Sequence, residues 1–362
     1  MKKFLTLFFT LTLFVLVKPT FADTVNVNFE NPPYNLGVIN AQDGWSSLGS
    51  AGSGCAVYDH AVNSALGTTG FGSQSLRISN AITSGCFGDQ TFSKSLINEA
   101  GESSAVNNGL SGGTRQTHFE GSFDLSSTVP GAEQPGLFMS VSPDRGDGAR
   151  MSYLKLEDQA DGVHVFFDDY VDAAPLGGPV GDSNGCSAED DFVESDVATL
   201  SRAPHSIKFS MDFVDGPRND VVKIYIDGTL VHTGTSWEDY FRYCESNPTR
   251  PVDSILFRTG GGGLPSAPAT AGNGFLVDNL SLRSGPSTVK VILDKYIDGV
   301  MATSVTANSS AFPMNATWSA DNIGAGSGSY NLSTVGFNSP NPYEAVTSDM
   351  TFGADYTTNE VT

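Results

Sequence analysis

The chain has 362 residues and a formal charge of −21, from 19 Lys and Arg against 40 Asp and Glu. Charged residues make up 16%, below the usual figure of about 25%, and the 40 glycines exceed the average share. The 23 Phe, 11 Tyr and 3 Trp are ample for a core, which excludes disorder; the acidity excludes a nucleic-acid partner, and the scarcity of strong helix formers excludes long helices.

Residues 1–22 read as an export signal. Lys2 and Lys3 precede the apolar run Phe4 to Val17, Lys18 closes it, and Thr20-Phe21-Ala22 is a small-x-small cleavage site before Asp23. The run is short for a membrane span of roughly 20 residues, and no later stretch reaches that length. The expectation is a secreted or cell-surface protein with no membrane span once the signal is cleaved. The strand-like run Glu360-Val361-Thr362 is compatible with a truncated end. Export permits disulfides. The 4 cysteines allow three connectivities, and the pairs Cys55–Cys86 and Cys186–Cys244 are expected because they close the shorter loops. No C-x-x-C pair and no finger-spaced histidine is present, so a zinc site is not expected.

Period-two alternation then recurs along the chain. It places Val25, Val27 and Phe29 on one face, then Leu76 and Ile78, then Phe119, Phe123 and Leu125. Further sets are Leu137, Met139 and Val141; Ile207, Phe209, Met211 and Phe213; Val222, Ile224 and Ile226; and Leu276, Leu280 and Leu282. Many short alternating segments broken by Gly, Asn, Asp and Pro predict antiparallel sheets with one wet face, an all-β protein. Asp161-Gly162 and Asp227-Gly228 each sit between strand-like runs and predict tight hairpins. One short helix is expected, capped by Ser236, with Trp237, Tyr240 and Phe241 on its buried face. Composition shifts at Ser284-Gly285-Pro286-Ser287, which divides the chain into a domain over 23–284 and a small β domain over 287–362.

The order of several stretches carries a resemblance. These are Gln42-Asp43-Gly44-Trp45, Gly72-Ser73-Gln74-Ser75-Leu76-Arg77-Ile78-Ser79, Pro204-His205-Ser206-Ile207-Lys208-Phe209, Lys223-Ile224-Tyr225-Ile226-Asp227-Gly228, and Phe275-Leu276-Val277-Asp278-Asn279-Leu280-Ser281-Leu282. Residues 24–284 resemble secreted bacterial proteins with a concanavalin A-like (laminin G-like) jelly roll. Residues 287–362 resemble a repeat module of bacterial surface proteins, Ig-like or transthyretin-like. The resemblance implies two packed antiparallel sheets and glycan binding or glycan cleavage, the step to glycan being analogy.

Three residue sets follow. Glu189-Asp190-Asp191-Phe192-Val193-Glu194 fits E-x-D-x-x-E, the signature of the similar laminarinase-like glycoside hydrolases. By that resemblance Glu189 is the nucleophile, Asp191 its orienter and Glu194 the acid/base of a retaining hydrolysis. An acidic loop or short helix capped by Ser187 is the alternative for the same residues. Asp278 shares parity with buried leucines, and a buried carboxylate needs a partner or a metal. In jelly-roll glycan-binding modules the first and last strands often supply carboxylates to a structural Ca²⁺; Glu30, Asp43 and Asp278 are the candidate ligands here, against hydrogen bonding of Asp278 to loop amides. For sugar stacking the candidates are Trp45, Trp237 and Tyr243, although the helix pattern favours core packing for Trp237. The five histidines read as strand or loop residues, Arg145-Gly146-Asp147 as a turn, and no G-x-S-x-G or H-E-x-x-H is present. The leading expectation is a secreted, non-catalytic glycan-binding or adhesion-type protein with a polysaccharide partner. The alternatives are an endo-acting laminarinase-like hydrolase and a structural envelope spacer.

Overall fold

The structure is a computed structural model. It describes residues 23–47, 58–83, 89–96, 118–144, 148, 150–170, 192–214, 219–244, 252–260 and 266–285, with short strands within 288–351. The chain divides into two compact units, one spanning Ala22–Ser287 and the other containing Thr288–Thr362. Among the described residues no helix is long and apolar enough to cross a membrane.

In the first unit the strands are β1 (Asp23–Val27), β2 (Gly37–Val38), β3 (Tyr58–Ser64), β4 (Gln74–Thr83), β5 (Gln90–Phe92), β6 (His118–Ser127), β7 (Phe138–Asp144) and β8 (Leu154–Gln159). They continue with β9 (Gly162–Tyr170), β10 (Phe192–Leu200), β11 (His205–Asp212), β12 (Val221–Ile226), β13 (Thr229–Gly234), β14 (Ser254–Arg258) and β15 (Phe275–Gly285), and the described residues include the α-helix α1 (Glu238–Cys244) and a 3-10 turn at Pro268–Thr270. A larger, 9-stranded sheet runs β13-β12-β11-β6-β15-β4-β3-β2, with β1 also on β15; a smaller, 6-stranded sheet runs β10-β9-β8-β7-β14-β5. The strand pairings in both are antiparallel. This is a β-sandwich of jelly-roll type; the alternation predicts its antiparallel sheets, and the resemblance implies the jelly roll.

The alternation explains the core. Phe119, Phe123, Ile207, Phe209, Met211, Val222, Ile224, Leu280 and Leu282 of the larger sheet meet Met139, Val141, Leu154, Leu156, Val163, Val165, Phe167, Ile255 and Phe257 of the smaller one in a single buried cluster. Burial of this kind is worth about 25 cal/mol per Å² of apolar surface, so it dominates the stability of the sandwich. The first and last strands pair, Val25 opposite Leu282 and Val27 opposite Leu280. One edge of β15 lies along β6, while β4 takes residues 275–277 and β1 takes 280–284 on the other edge. The ladder to β6 is irregular between Asp278 and Ser281, where β4 hands over to β1.

Both hairpins form. At the tip between β12 and β13, Asp227 has φ 51° and Gly228 φ 77°, the paired positive values that an Asp-Gly turn supplies. Between β8 and β9, Gly162 has φ 155° and a Cβ there would strike the Leu200 carbonyl. The helix starts at Glu238, and the Ser236 hydroxyl accepts the Glu238 amide at 3.1 Å. Trp237 and Phe241 are buried and Tyr240 is half-buried, the face the spacing predicts.

The second unit contains β16 (Thr288–Val289), β17 (Ile292–Asp294), β18 (Tyr296–Ile297), β19 (Val300–Met301), β20 (Asn315–Trp318), β21 (Gly328–Asn331), β22 (Glu344–Val346) and β23 (Met350–Thr351). They pair antiparallel as β16–β23, β17–β22, β18–β19 and β20–β21.

Candidate functional site

The residues of the smaller sheet that alternate with its core side chains face away from the larger sheet. Register aligns them in rows across the strands. One row begins with Glu194 opposite Asp168, passes Tyr153, whose carbonyl accepts the Asp168 amide, and Ser142, and ends with Leu256 opposite Phe92. The next runs Asp196, Phe166, Lys155, Ser140, Arg258 and Gln90. A sheet face in contact with water would be solvated. Here Ser140, Ser142, Gln90, Leu256 and Arg258 are buried.

Aromatic and charged groups are layered on these rows. The segment before α1 lays Trp237 parallel to Tyr153, with ring centroids 5.8 Å apart and 16° between planes. The Arg150 guanidinium sits 4.9 Å from the Trp237 ring and 5.3 Å from Tyr153, and Phe192 meets Trp237 edge-on at 4.6 Å. Trp237 Nε1 donates to the Asp168 carbonyl at 2.8 Å, which fixes the indole on the strand. Lys155 Nζ lies 2.6 Å from Glu194, 3.2 Å from Glu157 and 4.4 Å from the Phe166 centroid. Arg258 donates to Gln90 Oε1 at 2.6 Å.

The electrostatics follow from this crowding. Burial pushes the Asp168 carboxyl up to about 6, and the facing Glu194 carboxylate adds to the shift. Burial lowers Arg258 to about 10, with the Arg150 charge adding to it. Burial also raises the Tyr153 phenol. The Ser142 hydroxyl is buried with no hydrogen-bond partner among the described residues. Two adjacent carboxyl groups with different surroundings, beside cations and stacked rings, can hold a polar ligand or move a proton.

Several sequence-derived candidates fall elsewhere. Glu189, Asp191, Arg145-Gly146-Asp147, Cys55, Cys86 and Cys186 lie outside the described residues, as do the side chains of Tyr243 and Cys244. Glu194 belongs to strand β10, not to an acidic loop or short helix, and its ion pair with Lys155 occupies it. Trp45 and Trp237 offer no free ring face. Trp45 is 2% exposed, donates to the Tyr34 hydroxyl at 3.1 Å and packs on Phe29 and Phe257; Trp237 is 5% exposed.

The calcium candidates divide. Asp278 is fully buried at the strand hand-over, its oxygens accepting the Asn279 amide at 2.8 Å and the Gly72 amide at 3.2 Å. Burial pushes it up to about 6, and the Glu30 and Asp124 carboxylates raise it further. Glu30 reaches the same Gly72–Gln74 segment, accepting the Ser73 amide at 2.5 Å and the Gln74 amide at 2.9 Å. Asp43 is not part of this group. It pairs with Lys94 at 3.0 Å and accepts the Tyr34 hydroxyl at 3.0 Å. Among the described residues no group of three or more His, Cys, Asp or Glu is arranged to hold a metal.

The histidines are more engaged than the sequence suggests. His118 bonds Asp212 at 2.8 Å, His164 bonds Asp196 at 2.7 Å, His205 bonds Asp227 at 2.7 Å and His232 bonds Asp169 at 3.1 Å. His60 is buried between Thr91 at 2.6 Å and Thr259 at 3.1 Å, and burial lowers it to about 3. No spacing rule exposes these pairs, because each carboxylate comes from another strand or turn.

No family model and no curated protein matches the chain. Among solved structures it is similar to the apo Crh5 transglycosylase, at 13% identity over 73% of this chain and 84% of that one, with a TM-score of 0.31. It is similar to an endo-1,3-β-glucanase from Streptomyces sioyaensis at 16% identity, covering 68% and 98% of the two chains, with a TM-score of 0.29. A sialidase is matched at 14% identity over 47% of this chain with a TM-score of 0.27, and the match spans 13% of the sialidase's length.

Proposed function

We propose that the protein is an exported, non-catalytic glycan-binding protein of adhesion type, with the ligand lying across the outward face of the smaller sheet. The observation that carries this reading is the two adjacent rows that hold half-buried Tyr153 and Lys155 with buried Ser140, Ser142 and Arg258, beside the Arg150–Trp237 stack. A saccharide needs donors and acceptors already placed for its hydroxyls, with apolar faces beside them, and such pre-arranged groups lower the ordering cost of binding. Export rests on the signal-like residues 1–22, and residues 287–362 are read as an Ig-like or transthyretin-like surface module. Affinity electrophoresis of the full chain against a panel of polysaccharides tests the reading. Retention by at least one, weakened at least about tenfold in Tyr153→Ala, is expected. No retention on any leaves the spacer reading.

A hydrolytic version is favoured by one observation, the facing of Asp168, pushed up to about 6, and the Lys155-paired Glu194. Carboxyl groups whose surroundings separate their proton affinities suit acid and nucleophile roles. Asp168 would then donate the proton and Glu194 attack. Release of reducing ends from a β-glucan, lost in Glu194→Gln, replaces the non-catalytic reading.

A structural Ca²⁺ at Asp278 and Glu30 belongs to the same proposal, since hard carboxylate oxygens suit it and a cation relieves the repulsion at Asp278. It predicts a melting temperature that falls on EDTA treatment and recovers with added Ca²⁺. An unchanged melt removes the ion.

A further inference from the structure

Ser201, His205 and Asp227 form a hydrogen-bonded chain at one end of the sandwich, separate from the smaller sheet's outward face. Ser201 follows β10, the connection through Pro204 crosses from the smaller sheet to the larger, His205 opens β11, and Asp227 begins the β12–β13 turn. His205 Nε2 lies 2.8 Å from Ser201 Oγ, and its Nδ1 lies 2.7 Å from Asp227 Oδ2. Asp227 Oδ1 accepts the Ser206 amide at 2.9 Å, which fixes the carboxylate.

A carboxylate only accepts, so Nδ1 carries the hydrogen toward Asp227. A base form of the ring then presents Nε2 as an acceptor to the Ser201 hydroxyl. The connection is held at both sides. Arg202 Nε donates to Asp158 at 2.8 Å, and the Arg202 carbonyl accepts the Ser127 amide at 3.1 Å. Ser201 is exposed, and its other hydrogen bond among the described residues, from the Ala203 amide, is long at 3.4 Å. A hydroxyl tied only into a turn would not need an imidazole oriented by a clamped carboxylate. The order nucleophile, base, orienting acid is the arrangement that activates a serine.

We propose that Ser201 is an acyl-accepting nucleophile, with His205 as its base and Asp227 as the positioning residue, acting on small, accessible carboxylic esters such as acetyl esters. Ser201 Oγ bonds to the carbonyl carbon while its proton passes to His205 Nε2. The bond from carbon to the alcohol oxygen breaks, and that oxygen takes the proton. Water then attacks the acyl-serine, giving one proton through His205 back to Ser201, and leaves a carboxylic acid. The net reaction consumes one ester and one water.

The full chain is treated with a fluorophosphonate probe, and the modified peptide is located by mass spectrometry. p-Nitrophenyl acetate turnover is measured alongside. The expected result is an adduct at Ser201, with fluoride as leaving group. Ser201→Ala abolishes it and lowers turnover by at least about 100-fold. Asp227→Asn keeps a residue that tolerates the positive φ of the turn and slows labelling by at least about tenfold with an unchanged melting temperature. An adduct elsewhere, no adduct, or wild-type turnover in Ser201→Ala overturns the proposal. The peptide map of the unsubstituted protein decides the question even where a variant folds poorly.

Discussion

The β6–β11 part of the larger sheet's outward face and the β7–β8–β14 part of the smaller sheet's carry similar residue types and treat them in opposite ways. On the larger sheet, His118 sits between Asp212 at 2.8 Å and Glu120 at 3.7 Å, and Lys208 reaches Glu120 at 3.3 Å while covering the Tyr225 ring at 4.6 Å. Each acid there meets a base, and the set is open to water. On the smaller sheet two carboxyls face each other, two guanidiniums repel, and serine and arginine are buried. Self-neutralised charge favours a solvated wall. Charge left strained under shelter costs stability and is retained where a ligand uses it. Shelter, not composition, distinguishes the His118–Lys208 region of the larger sheet from the Asp168–Arg258 region of the smaller one.

The largest expected break in this comparison is Trp237→Ala. It removes a buried indole that stacks on Tyr153, carries Arg150 and bonds the Asp168 carbonyl. A loss of about 3–5 kcal/mol in urea unfolding is expected, with glycan retention lost as well. A loss below about 1 kcal/mol would show that the stack does not organise the face.

Asp168→Asn comes next and gives the sign of the strain. The folded state holds this carboxyl at about 6, above its ordinary 3.8. An acid raised on folding contributes stability below 3.8, and that contribution is lost as pH rises through about 6. The wild type should therefore lose about 1–2 kcal/mol from this group between acid and neutral pH, screening included. The variant should flatten the profile in that window, measured by urea midpoints. Parallel profiles would mean that burial and the facing Glu194 do not raise Asp168 on folding.

What the sequence carried was local. Asp227-Gly228 announces its turn, Ser236 its helix, and the Ile207–Phe213 alternation its inward face, because each depends on neighbours within a few positions. Register is set by long-range pairing and was not legible. Asp168 and Asp169 are consecutive, yet alternation sends Asp169 to His232 and the Thr235 amide and Asp168 to the face of Glu194. Nothing near residue 168 foretells that β10 will place a carboxylate opposite it. The Ser201–His205 spacing is visible in the chain, but its meaning depends on Asp227, which only the neighbouring strand delivers. Residue type alone makes Trp45 a sugar-stacking candidate; the core claims it through Phe29 and Phe257.

The larger sheet should respond in the reverse sense and more weakly. Burial opposes charge on His118, but hydrogen bonds to Asp212 and Glu120 outweigh it and raise the imidazole to about 9. A histidine raised on folding contributes its full stability below 6.5 and loses it as pH climbs through about 9. Glu120, held down to about 2 by its bond to His118, contributes above 4.5 and loses that contribution as pH falls through about 2. His118→Gln should cost about 1 kcal/mol near neutral pH and less above pH 9, with glycan retention unchanged.

The smallest effect is expected at Lys208→Ala, about 0.5 kcal/mol or less, because its pair with Glu120 is open to water and His118 remains to neutralise that carboxylate. Added salt should erase even this difference, whereas Lys155, less exposed than Lys208 and shared between Glu157 and Glu194, should keep more of its contribution in the same salt. A Lys208→Ala loss as large as that of Lys155→Ala would mean that both faces are equally solvated. The contrast between them would then fail.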